Sequence, residues 1–108
     1  MMLKLVLIAA VLCGSIAVSS ARRWRIGEPN SVRYDHNCDF YGYDIGFLET
    51  AGKDCARACR NDRSCTHFTH HDTTCNLKRS NGWLRENAHD GAVCGFFPDR
   101  INQQMTVR

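Results

Sequence analysis

The sequence predicts an α+β fold in which one helix lies against a small antiparallel sheet and three disulfides hold the two together. Three observations predict it. Six cysteines follow an apolar leader in a chain of only 108 residues. One uninterrupted helix-forming stretch, "KDCARACRND", stands mid-chain. Runs rich in aromatic and β-branched residues, broken by glycine and polar turns, flank it on both sides.

The leader comes first. "MMLK" is a short positive start, and "LVLIAAVLCGSIAV" is apolar and uncharged. Ser19 and Ala21 then supply the small residues that signal peptidase requires, so residues 1–21 are expected to be a secretory signal peptide and the protein to be secreted. The run is short for a membrane span, and no second one follows, so no membrane span is expected. Lys4 is the only charged residue removed with the leader, which leaves 87 residues with 13 basic and 11 acidic side chains. That length suits one domain, and the balance is too mild to indicate nucleic acid. Cys13 leaves with the leader. The remaining six, Cys38, Cys55, Cys59, Cys65, Cys75 and Cys94, read as three disulfides, with all 15 pairings open to spacing alone. A chain this small buries too little apolar surface to dispense with them.

Residues 22–33 are basic and then polar, with a Pro-Asn turn signal, and read as a flexible arm. "CDFYGYDIGFLET" suits one or two short strands with a bend at its glycines. In the helix candidate, residues 53–62, Thr50 is a candidate N-cap, although Gly52 follows it. At 100° per residue, Cys55, Cys59 and Asp62 share one side, while Lys53, Arg57 and Arg60 share the other. "CTHFTHHDTTCNLKRS" reads as two strands around a turn at residues 71–74, and "SNGW" adds an Asn-Gly turn. "AVCGFF" is a last short strand, and residues 98–108 form a polar tail.

Three histidines crowd the central hairpin, but strand alternation sets His70 opposite His67 and His71. At the strand rise, His67 and His71 stand about 13 Å apart, too far to share an ion. No metal and no cofactor are expected. No nucleophile elbow, free thiol or phosphate-binding loop is present, so no catalytic residue is assigned. The candidate ligand surface is the helix stripe of Lys53, Arg57 and Arg60, extended by Arg63, whose cations suit sulfate or carboxylate groups of a glycan. A solvated helix face accounts for the same stripe. "RRWR", residues 22–25, suits an anionic polymer or a membrane surface, and also resembles a convertase site ending at Arg25. The aromatic residues Phe40, Tyr41, Tyr43, Phe47, Phe68, Trp83, Phe96 and Phe97 are expected mostly in the core, with one or two exposed tyrosines or Trp83 left to stack on a sugar. The mature chain has no N-glycosylation sequon.

The spacing C-x16-C-x3-C-x5-C-x9-C-x18-C, with "CDFYGYDI", "DCARAC", "CTHFTH", "CNLK" and "VCG" around it, resembles the PAN/apple domain family over residues 34–97. The resemblance implies a small twisted antiparallel sheet carrying one helix. It also implies the pairs Cys38 with Cys94, Cys55 with Cys75 and Cys59 with Cys65. Many members have a serine before the helix where this chain has "TAGKD". Members of the family are binding modules for extracellular proteins or carbohydrates, so the resemblance implies a monomeric, non-enzymatic secreted binder with a protein or glycan partner. A salivary or venom effector on host haemostatic or matrix proteins, and a structural part of a secreted matrix, are the alternatives. The fold alone chooses none of these.

Overall fold

The structure, a computed structural model, describes residues 23–80, 83–101 and 106–107. The expected leader at residues 1–21 and the Asn81-Gly82 turn lie outside the described residues. In chain order the elements are β1 (Arg25–Gly27), β2 (Val32–Phe40), β3 (Asp44–Glu49), α1 (Gly52–Asn61), β4 (His67–His71), β5 (Thr74–Lys78), β6 (Trp83–Leu84), β7 (Glu86–Phe96), a 3₁₀ turn (Pro98–Arg100) and β8 (Thr106–Val107). Six strands form one antiparallel sheet in the order β1-β2-β7-β4-β5-β3, and β6 pairs with β8. The fold is α+β.

Three disulfides close it: Cys38–Cys94, Cys55–Cys75 and Cys59–Cys65. These are the pairs the resemblance implied. Helix α1 starts and ends one residue earlier than expected, and it buries Cys55, Ala56 and Cys59. Thr50 is not its N-cap. Ala51 holds that position without a side-chain cap, because Thr50 still belongs to the strand side. The Thr50 N–H donates to the Thr73 carbonyl at 2.8 Å, and its own carbonyl pairs with Nε2 of His70 at 2.7 Å.

Two further segments depart from the sequence reading. The stretch expected to be an arm supplies β1, a turn with a cis Glu28–Pro29 bond, and the first residues of β2. Trp24 draws it onto the sheet by packing 5.8 Å from Phe40 and edge-on to Phe96 at 5.2 Å, while Arg25 pairs with Asp35. The first residues of the expected tail dock beneath the helix. Arg100 donates to the carbonyls of Cys59, Arg60, Asp62 and Cys65 at 2.7–3.1 Å. Cys59 and Arg60 carry two of the helix-end carbonyls; the Cys59 carbonyl also accepts the N–H of the C-cap Asp62 at 3.1 Å, and a cation suits that end of the dipole. The last strand is longer than "AVCGFF". It runs eleven residues as β7, because β2 pairs with it from Phe96 to Glu86, while β4 pairs with Val93 to Phe96 on its other side.

The core is divided by the sheet. On the helix face Val32, Cys55, Ala56, Cys59, Phe68 and Phe97 pack together, with Leu48 and Leu77 beside them. The other cluster holds Cys38, Phe40, Leu84 and Cys94, with Trp24 and Phe96. Strand β2 serves both clusters because it changes face at Asn37. The register slips between His36 and Cys38, and Asn37 takes a positive φ of 58°, which asparagine tolerates better than most residues. Its side-chain oxygen accepts the Gly91 N–H at 2.9 Å.

Two stability predictions follow from this packing. A Cβ on Gly95 would stand 2.4 Å from the Phe68 ring and 3.0 Å from the Arg33 carbonyl. Gly95→Ala should therefore cost about 1–3 kcal/mol by overpacking, read as a lowered urea midpoint, and Phe68→Leu should recover part of it. Cys38–Cys94 spans 56 positions and Cys59–Cys65 only 6. By chain entropy, removing the first bond should cost about 4 kcal/mol and the second about 2, so the paired Cys→Ala variants should rank in that order of midpoint loss.

Candidate functional site

Helix α1 is ten residues long and packs on β4 and β5. A helix about 10–12 Å wide cannot cover a sheet of six strands spaced about 4.8 Å apart. The uncovered part of that face, over β2 and β7, forms a half-open cleft of about 390 Å³. Its floor is Val32, Ala56, Phe68 and Val93, with the ring of Tyr34 at one side. Charged and polar groups stand only at its rim: Lys53 from the helix, Glu28 from the β1–β2 turn, and His36 from β2, all exposed. His36 meets Tyr34 edge-on at 6.1 Å. The volume lies at the small end of the range for ligand pockets, about 300–1,000 Å³. Sequence reasoning did not find this cleft, because the positions of Val32 and Val93 follow from long-range register.

The helix stripe divides in two. Lys53, Arg57 and Arg63 are exposed and make no ion pair among the described residues. Arg60 is committed to the fold. Its guanidinium makes a two-pronged contact with Asp99 at 2.8 and 2.9 Å and stacks 5.1 Å from the Phe97 ring centre. That hydrogen-bonded pairing holds the Asp99 carboxyl below its usual range. Lys53 belongs to both candidate surfaces, since it is also a wall of the cleft.

The histidines of the central hairpin separate as alternation requires. His70 faces the helix side and reaches the Thr50 carbonyl. His67 turns to the other face, against Phe40 at 5.5 Å and Tyr43 at 6.4 Å. It is fully buried, with Phe40 packed edge-on against it. Its Nδ1 pairs with the Thr66 hydroxyl at 2.8 Å, while Nε2 has no partner. Burial, and then the nearby Lys78 ammonium, push its pKa down to about 3. Lys78 is itself buried and donates to Asp44 at 2.5 Å and to the Gly42 carbonyl at 3.2 Å, which anchors the bend into β3. Among the described residues no group of three or more His, Cys, Asp or Glu side chains is placed to hold a metal ion, and no helix is long and apolar enough to cross a membrane.

The aromatic residues expected in the core divide as well. Phe40, Phe68 and Phe97 are buried, and Phe96 is partly so. Tyr41, Tyr43 and Phe47 are exposed, Phe47 by 71%. Strand β3 is an edge strand whose Leu48 packs on the helix-side core, so its Phe47 meets no second layer among the described residues. Comparison with known protein families, curated proteins and solved structures finds no match for this chain.

The buried His67 ring makes stability depend on pH. Its value falls from an unfolded 6.5 to about 3. Between those values the unfolded chain binds a proton that the folded chain rejects, so stability is full above about pH 6.5 and is lost as pH falls, by up to about 1.4 kcal/mol per unit. The loss in urea midpoint between pH 7 and pH 4.5 should be smaller in His67→Phe than in the parent. Equal losses would mean that His67 is not held neutral.

Proposed function

We propose that this chain is a secreted, non-enzymatic binding module of the PAN/apple type for an extracellular protein or carbohydrate, with a protein side chain favoured in the cleft. The observation that carries this reading is the cleft itself, a cavity of about 390 Å³ with an apolar floor and polar groups only at its rim. A sugar ring pressed onto that floor would leave hydroxyls without hydrogen-bond partners, at about 1–3 kcal/mol each. An aliphatic or aromatic side chain loses nothing there and gains about 1.5–3 kcal/mol by leaving water. The six paired cysteines suit an oxidising, extracellular setting.

A second reading has its own observation. Phe47 on β3 and Tyr43 just before it are exposed, and such rings can stack on a sugar. The cations Arg57 and Arg63 would serve an anionic glycan on the helix side.

An array of extracellular-matrix proteins and glycans, probed with the oxidised chain, tests the two together. Retention on protein features is expected, and Val93→Phe, which narrows the cleft, should abolish it at an unchanged thermal midpoint. Retention on glycans that disappears in Arg57→Ser/Arg63→Ser and in high salt would put the glycan reading in its place. No retention on any feature would sink the binding-module reading.

A further inference from the structure

We propose that the cleft recognises a peptide segment of a protein partner in which an apolar residue stands between an acidic and a basic one. The inference rests on the binding-module reading and names the ligand of that same cleft. The floor of Val32, Ala56, Phe68 and Val93 presents no polar side chain, so it selects an apolar anchor. The walls carry opposite charge. Lys53 stands on the helix wall, and Arg57 lies one turn further along the same helix. Glu28 stands on the facing β1–β2 turn. Neither Lys53 nor Glu28 is ion-paired among the described residues, and both are exposed, so both charges remain available to a ligand.

An acidic group towards Lys53 and a basic group towards Glu28 complement the two walls while the apolar residue fills the floor. A purely acidic segment would meet Glu28 with like charge, and a purely basic one would meet Lys53 in the same way. Each pair at the rim is solvent-exposed, so it contributes selectivity more than strength.

The probes are the capped peptides acetyl-Gly-Glu-Phe-Lys-Gly-amide, its Gln-Phe-Gln counterpart and its Glu-Ser-Lys counterpart, titrated calorimetrically into the full oxidised chain at low salt. The first should bind, the second about fivefold more weakly, and the third not measurably. Lys53→Glu and Glu28→Lys should each weaken the first peptide to the level of the neutral one. The double reversal Lys53→Glu/Glu28→Lys should restore it, because the walls then exchange sign and the peptide can run the other way. A purely structural effect of either substitution would not be rescued by the other. Equal binding of charged and neutral peptides, or no rescue in the double variant, would overturn the proposal. If no peptide binds while the array retains a glycan, the proposal fails and the binding-module reading stands. If both are silent, both fail.

Discussion

Cys55 and Cys59 lie one turn apart on α1. One is bonded to β5 and the other to the segment that enters β4. These two bonds fix the helix in translation and in rotation about its axis. Residues on the opposite side of the helix must then face solvent, and Ala56, between the cysteines, must pack on Phe68 and its neighbours. With the helix held over β4 and β5, the same face of β2 and β7 has no cover among the described residues. The cleft is therefore a consequence of where the helix is pinned. A helix free to slide towards β2 would fill it and expose Leu77 and Leu48 in exchange.

The opposite face of the sheet solves a different problem. No helix covers it among the described residues, so its apolar groups gather around the Cys38–Cys94 bond, with Phe40, Leu84, Phe96 and Trp24. Strand β2 reaches both faces only because Asn37 breaks its alternation. Without that break, Cys38 and Phe40 would point to the helix side, and Cys38 could not meet Cys94. The same face leaves Phe47 and Tyr43 uncovered at the β3 edge, beyond the reach of the cluster.

What was legible in the sequence was local. The i, i+4 spacing of Cys55 and Cys59 predicted the buried side of the helix, and the polar run from His71 to Thr74 predicted the turn between β4 and β5. Strand alternation predicted that His67 and His70 face apart. What was not legible depended on partners far along the chain. Arg60 is held by Asp99, 39 residues away, and Arg100 reaches back 41 residues to the Cys59 carbonyl. No periodicity in the helix reports that Arg60 has a partner. The β1 strand was missed for a similar reason, since three residues carry no pattern and their pairing with β2 goes with contacts far along the chain, Trp24 on Phe40 and Phe96 and Arg25 with Asp35. A signal for Asn37 was present in the residue type, but its consequence for the facing of β2 needed the register of β7.

The basic residues of the helix thus serve two ends of it differently. At the C-terminal end, Arg60 and the incoming Arg100 both lie over Phe97, at 5.1 and 5.7 Å, and both are tied to fixed oxygens. Positive charge there agrees with the helix dipole and stabilises the fold. At the N-terminal end the dipole opposes a cation by about 0.3–1 kcal/mol, yet Lys53 stands in the first turn. Asp54 beside it offsets part of that cost, but Lys53 makes no ion pair among the described residues that would offset the rest. A local preference that is only partly offset agrees with the proposed role of Lys53 in the cleft. Lys53 is also the one residue of the basic stripe that lines the cleft. The stripe and the cleft therefore meet at a side chain whose placement the fold itself does not require.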